Sequence, residues 1–121
     1  MPDELYDLFI EERLTSYLII MKLCPNIKGF KFILHGVKLL VHDISKKRNI
    51  NNVLYDQIAN ELNTDKGTID GALRHAIELS SKRNGFKNFV KDFDFLIKGE
   101  RPTPRELLSA LAIKIKKEKF F

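Results

Sequence analysis

YDQIANELNTDKGTIDGALR, residues 55–74, reads as two short helices on either side of a sharp turn. Ile58 and Leu62 give the first helix an apolar edge, and Ala59 is small where a second helix must cross closely. Asn63 tolerates the left-handed backbone that a sharp turn needs. Ile69, Ala72 and Leu73 then restart a helical period. Helices joined this tightly predict a helix-turn-helix over about residues 53–82, its second helix offered outward in a shape that fits the major groove of DNA. Gly67 and Gly71 stand where a reader of DNA usually carries long side chains.

Outward from this stretch, almost every segment carries helical period and none sustains alternation. Asp3 can cap a first helix from about Glu4 to Leu23, with Leu5, Leu8, Phe9, Leu14, Leu18 and Met21 on its apolar side. Pro25 and Asn26 end it. Phe30, Ile33, Leu34, Val37, Leu40, Val41 and Ile44 fall at three-and-four spacing, and Phe32 and Leu39 widen that face. A central second helix running to about Lys46 follows from this. KKRNINN, residues 46–52, reads as a polar loop. The helices of the opening motif are expected at about Val53–Leu62 and Asp65–Lys82, the latter stopped by Asn84-Gly85. Phe86, Phe89, Val90 and Phe93 suggest a short fifth helix. Thr103-Pro104-Arg105-Glu106 is a capping box with proline at the first helical position, opening a sixth helix through Leu107, Leu108, Leu111 and Ile115. The expected architecture is an all-α, six-helix single domain spanning residues 1–121, with the helix-turn-helix embedded in it.

Composition narrows the function classes. A chain of 121 residues suits one domain and buries roughly two thirds of its unfolded surface, enough for a core without staples. A net charge of +5 is compatible with polyanionic partners, although many basic proteins bind no nucleic acid. Cys24, the single cysteine, excludes an internal disulfide framework and reads as a packing residue. Asp3 and Glu4 follow Met1 where a secretory signal would be basic, and the run Leu18–Leu23 is too short to span a bilayer. A cytoplasmic, nucleoid-associated protein that binds no membrane is expected. Walker loops, dinucleotide fingerprints, paired metal motifs and nucleophile elbows are missing from the sequence, so neither catalysis, a small-molecule substrate, a cofactor nor a metal is expected. His35 and His42 lie two turns apart on the second helix, too far for a shared metal. His75 reads as a histidine at the edge of the core.

Four stretches taken in order, NIKGFKFILHGVKL, VLYDQIANELNT, RHAIE and RPTPREL, resemble the C-terminal effector domain of the sporulation initiation regulator family, stage-zero sporulation protein A. The similarity covers about Leu18 to Lys117, and its most specific parts are Ile27–Phe30 and Arg74–Glu78. The resemblance implies a six-helix fold with an embedded helix-turn-helix. It also implies a transcription factor without catalytic activity in this domain, whose partner is double-stranded DNA carrying a short box, often bound by two domains in tandem or as a homodimer. Family members carry a phospho-acceptor receiver domain ahead of the effector; this chain begins only slightly before the effector, so control by abundance, oligomerisation or a partner chain is expected instead. Asp70 matches an acidic position of the family's recognition helix and Arg74 one of its arginines, whereas Thr68 and Gly71 stand where it has others.

Lys66, Asp70 and Arg74 are spaced by four and form one stripe, opposed by Ile69, Leu73, Ala76 and Ile77. Arg74 has the fork for a guanine edge, and Asp70 can accept from a cytosine amino group. Lys66 and Thr68 suit phosphate; Lys46, Lys47 and Arg48 before the motif, Lys82 and Arg83 after it, and Lys114, Lys116 and Lys117 near the end have two readings, a basic perimeter for phosphates or solubility charges scattered over the surface. The competing reading of the stripe is a solvated face on which Asp70 and Arg74 pair within the helix, worth roughly 0.2–0.5 kcal/mol. Three readings of Gly67 and Gly71 stand side by side: close backbone approach to DNA, a seat for another protein's helix, or a helix held by its packing that has lost specific readout. The last two define the alternative function, a protein-interaction module or a modulator of a full-length relative.

Overall fold

The computed structural model describes residues 3–43, 50–87 and 101–118. Five α-helices occupy them: α1 (Asp3–Ile20), α2 (Lys28–His42), α3 (Tyr55–Glu61), α4 (Lys66–Lys82) and α5 (Pro104–Lys117). No strand occurs among the described residues. The fifth of the six expected helices falls mainly on residues 89–93, outside the described residues. The same holds for Ile44 and for Lys46, Lys47 and Arg48.

α2 is the central element and packs most extensively on α4 and α5. Its sequence explains why. Phe30, Phe32, Ile33, Val37, Leu40 and Val41 are buried, with Leu34 and Leu39 partly so, and an apolar face that wide needs neighbours on several sides. Each fully buried aliphatic contributes roughly 1.5–3 kcal/mol relative to exposure. The helix stops at His42, earlier than the expected Lys46. α5 begins as its sequence dictates. The Thr103 hydroxyl accepts from the Glu106 N–H at 3.1 Å, the Glu106 carboxylate accepts from the Thr103 N–H at 2.9 Å, and Pro104 fills the first helical position.

α1 departs from its reading. Leu5 and Leu8 are 51% and 59% exposed, while Ile10, absent from the expected apolar side, is fully buried with Leu14, Leu18 and Met21. Ile19 and Ile20 also face outward. With apolar residues on both sides of the helix, periodicity does not select the buried one. The helix ends at Ile20 rather than Leu23, because Lys22 takes a left-handed backbone (φ 66°) and the Leu23 N–H turns back to the Leu18 carbonyl. Cys24 follows this turn and is exposed, not packed.

Before α3 the chain makes one wide, π-type turn over Ile50–Leu54, where the composition of residues 46–52 suggested only a loop. Leu54 is fully buried there, which anchors the start of α3. α3 begins at Tyr55, two residues later than expected. The α3–α4 turn is as read: Asn63 has φ 56°, and the Thr64 N–H donates to the Ala59 carbonyl at 2.9 Å. Asn84 likewise takes φ 56° and ends α4.

Candidate functional site

The site is the outward side of α4, and it exists because the inward side is held at three places. Ile69, Leu73, Ala76 and Ile77 are buried as their spacing predicts. Near the middle, Gly29 of α2 lies so close that a Cβ there would sit 2.6 Å from the Ala72 carbonyl oxygen and 2.8 Å from the Ala76 Cβ. At the C-terminal end the Ser80 hydroxyl donates to the Met21 carbonyl at 2.6 Å, and Arg83 Nη1 donates to the Lys22 carbonyl at 2.9 Å. The left-handed Lys22 therefore ends α1 and supplies an acceptor for the end of α4. At the N-terminal end Asp65 caps the helix: its Oδ1 accepts from the Thr68 N–H at 2.8 Å and its Oδ2 from the Thr68 hydroxyl at 3.0 Å. These two bonds hold the Asp65 carboxyl below its ordinary range. α4 was expected to start at Asp65; the residue is its cap instead.

Pointing away from this clamp are Lys66, Gly67, Gly71, Arg74, His75 and Lys82, all exposed. Lys66, Asp70 and Arg74 do form one stripe. Arg74 is 66% exposed, yet its Nε donates to Asp70 Oδ2 at 2.7 Å, the intrahelical pair that the four-residue spacing allowed. The other carboxylate oxygen, Oδ1, accepts from the Tyr55 hydroxyl at 3.3 Å. Lys66 Nζ stands 3.4 Å from Asp56 of α3, and Lys82 Nζ 3.0 Å from Glu78, so both cations hold partners within the fold. The Lys82 ammonium keeps the Glu78 carboxyl below its usual value. Thr68 is committed to the cap and only partly exposed.

Gly71 has open space around it: a Cβ there would meet nothing within 4 Å, and one at Gly67 would meet only Asp65 Oδ1 at 3.3 Å. Two open hollows flank Gly71. One of about 380 Å³ lies between the start of α2 and α4, lined by Ile27, Lys28, Gly29, Gly67, Thr68, Gly71, Ala72 and His75. The other, of about 590 Å³, separates α4 from the Arg101–Pro104 approach to α5 and is bordered by Arg74, His75 and Glu78. Sequence reasoning missed three contributors. Lys28 and Arg101 join the surface only through tertiary packing, and Tyr55 was read as part of a helix without a role. The signal for Lys28 was its place within the Ile27–Phe30 run. Lys114, Lys116 and Lys117 belong elsewhere: Lys116 Nζ donates to the Val41 carbonyl at 3.3 Å, on the α2–α5 side.

His35 and His42 also have structural duties, His35 facing Glu61 of α3 at 2.7 Å and His42 facing Asp7 of α1 at 2.6 Å. No cluster of metal-ligating side chains occurs among the described residues, and no helix there is long and apolar enough to cross a membrane. Compared with known protein families, residues 15–115 match the one described as the sporulation initiation factor Spo0A C terminal.

Proposed function

From the premise that the chain belongs to the Spo0A C-terminal family, a DNA-binding regulatory domain of sporulation rather than a catalytic family, we propose that it binds double-stranded DNA sequence-specifically through α3 and α4 acting as a helix-turn-helix. The single observation that carries this reading is the division of α4 into a clamped inner side and an exposed outer side. That division leaves an exposed, glycine-smoothed helix surface, carrying Lys66, Arg74 and Lys82, free to enter a major groove. Arg74 reads a base edge, and Asp70 takes part in that readout. Lys66 and the helix start at Gly67 and Thr68 approach phosphate, with Lys82 at the far end; Lys46, Lys47 and Arg48, ahead of the motif in the sequence, are further phosphate contacts in this reading. Gly71 lets the backbone come close to the groove wall. The domain comprises residues 1–121, and a homodimer or tandem pair on DNA is part of the same proposal.

Selection of bound duplexes from a random pool, followed by affinity measurements across a salt series, tests this. A selected box, and affinity falling with salt by roughly 0.9 log units per log of salt for each neutralised phosphate, is the expected result. Salt-insensitive or absent binding overturns it in favour of a protein-interaction module.

A further inference from the structure

Tyr55 is an aromatic residue with a duty outside the core. It opens α3, is 3% exposed, and its ring sits in the hydrophobic cluster while its hydroxyl reaches the outward side of α4. There it meets Asp70, whose two oxygens are divided between neighbours: Oδ1 takes the Tyr55 hydroxyl at 3.3 Å and Oδ2 takes Arg74 Nε at 2.7 Å. Burial, and then the Asp70 carboxylate, push the Tyr55 hydroxyl far above its ordinary value, so it remains a donor at any physiological pH. A chain of contacts thus runs from the supporting helix to the exposed guanidinium.

This has a chemical consequence for Arg74. A guanidinium can present either its Nε/Nη edge or its terminal Nη1/Nη2 fork. With Nε engaged by Asp70, the terminal fork is the edge left for a ligand: Arg74 is 66% exposed, and among the described residues neither Nη carries a hydrogen bond. Asp70, each oxygen of which accepts one bond from a neighbour in the fold, is placed to aim Arg74.

We propose that Tyr55 is a positioning residue for DNA readout, acting through Asp70 to hold Arg74 with its terminal fork directed at a purine edge; this rests on Arg74 being the base reader. A side chain as long as arginine otherwise samples many rotamers, and holding one of them reduces the entropy lost on binding. The natural target of such a fork is a guanine, which offers O6 and N7 side by side in the major groove.

The test uses the whole chain and a random duplex pool, comparing wild type with Tyr55→Phe, Asp70→Asn and Arg74→Ala. Arg74→Ala identifies the base pair that Arg74 reads. Tyr55→Phe is expected to lower the preference at that same pair by about five-fold or more, while thermal unfolding, affinity for random duplex and the salt slope stay near wild type. The Nε–H signal of Arg74 in the free protein should move towards that of an unpaired arginine. Asp70→Asn, a change on the surface, is expected to weaken preference at the same pair and carries the test if Tyr55→Phe folds poorly. Unchanged preference in Tyr55→Phe, or, should that variant not fold, in Asp70→Asn, overturns the positioning role while leaving the reading of Arg74 intact. Loss of preference at a different base pair in Asp70→Asn also overturns it, because Asp70 would then be reading directly. No change in Arg74→Ala overturns the underlying assignment instead.

Discussion

The two sides of α4 use the same small residue for opposite purposes. On the inner side Gly29 meets Ala72 and Ala76 at a helix crossing, and Gly85 lies against the end of α1, where a Cβ would fall 2.0 Å from the Met21 carbonyl oxygen. On the outer side Gly67 and Gly71 are exposed, and a side chain at Gly71 would touch nothing. Inside, glycine is demanded by the distance between backbones. At Gly71 nothing among the described residues demands it, and intrinsic helix preference opposes it by about 1 kcal/mol relative to alanine. A sequence that keeps a locally unfavourable residue where the fold makes no use of it points to a requirement outside the fold. In the reading offered above, that requirement is the wall of a DNA groove.

The largest effects fall on the inner side. Gly29→Ala and Gly85→Ala must each displace a backbone carbonyl rather than the end of a flexible side chain, so both are expected to lose about 3 kcal/mol, the upper part of the usual range for overpacking. Urea unfolding measures this. A loss below about 0.5 kcal/mol in both would mean that α4 slides on α2 and the turn after α1, and the distinction between clamped and free sides would fail.

Next in size is Arg74→Ala on the outer side, which should leave stability near wild type while cutting discrimination at one base pair by about 1–3 kcal/mol. Competition binding between the selected box and its single substitutions measures the loss. A uniform drop across all sequences would reassign Arg74 to phosphate.

How much of this was legible beforehand differs between the same two sides. The buried stripe Ile69, Leu73, Ala76 and Ile77, the wide face of α2, the turn at Asn63 and the capping box at Thr103 were all readable, because each is encoded by residues close together in the chain. The outward assignment of Leu5 and Leu8 was not, since α1 has apolar residues on both sides and only its neighbours choose between them. The Tyr55–Asp70 contact spans fifteen positions, and His35–Glu61 spans twenty-six; such pairs depend on how helices are placed, which no local period records. The stripe and its Asp70–Arg74 pair were both legible as a spacing, but the sharing of Asp70 with Tyr55 required the geometry.

Gly71→Ala gives the sharpest contrast with its inner counterparts, at smaller magnitude. With open space at the Cβ position and no left-handed backbone, alanine removes unfolded-state freedom without strain, and stability should rise by about 0.4–1 kcal/mol. If the groove wall comes close at this point, the same variant weakens binding to the selected box even as it stabilises the protein. Opposite signs in the two measurements would separate a requirement of the fold from one of the ligand. Unfolding that becomes easier would show that the outer side is packed against something after all.

The last effect concerns the cap that sets where the outer side begins. Asp65 accepts two bonds from Thr68, and these favour its ionised form, so its folded value lies below that of an unfolded-chain aspartate. On acidification the unfolded chain therefore takes up this proton first. The stabilisation from the cap is full above the ordinary aspartate range and is lost as the pH falls through the depressed folded value. Thermal unfolding of wild type and Asp65→Ala should show a gap in midpoint near neutral pH that closes in acid. A gap constant across that range would mean that the start of α4 is fixed by the turn at Asn63 and by packing on α2 alone, with the carboxylate's charge irrelevant, and the outer side would then be set by the same forces as the inner one.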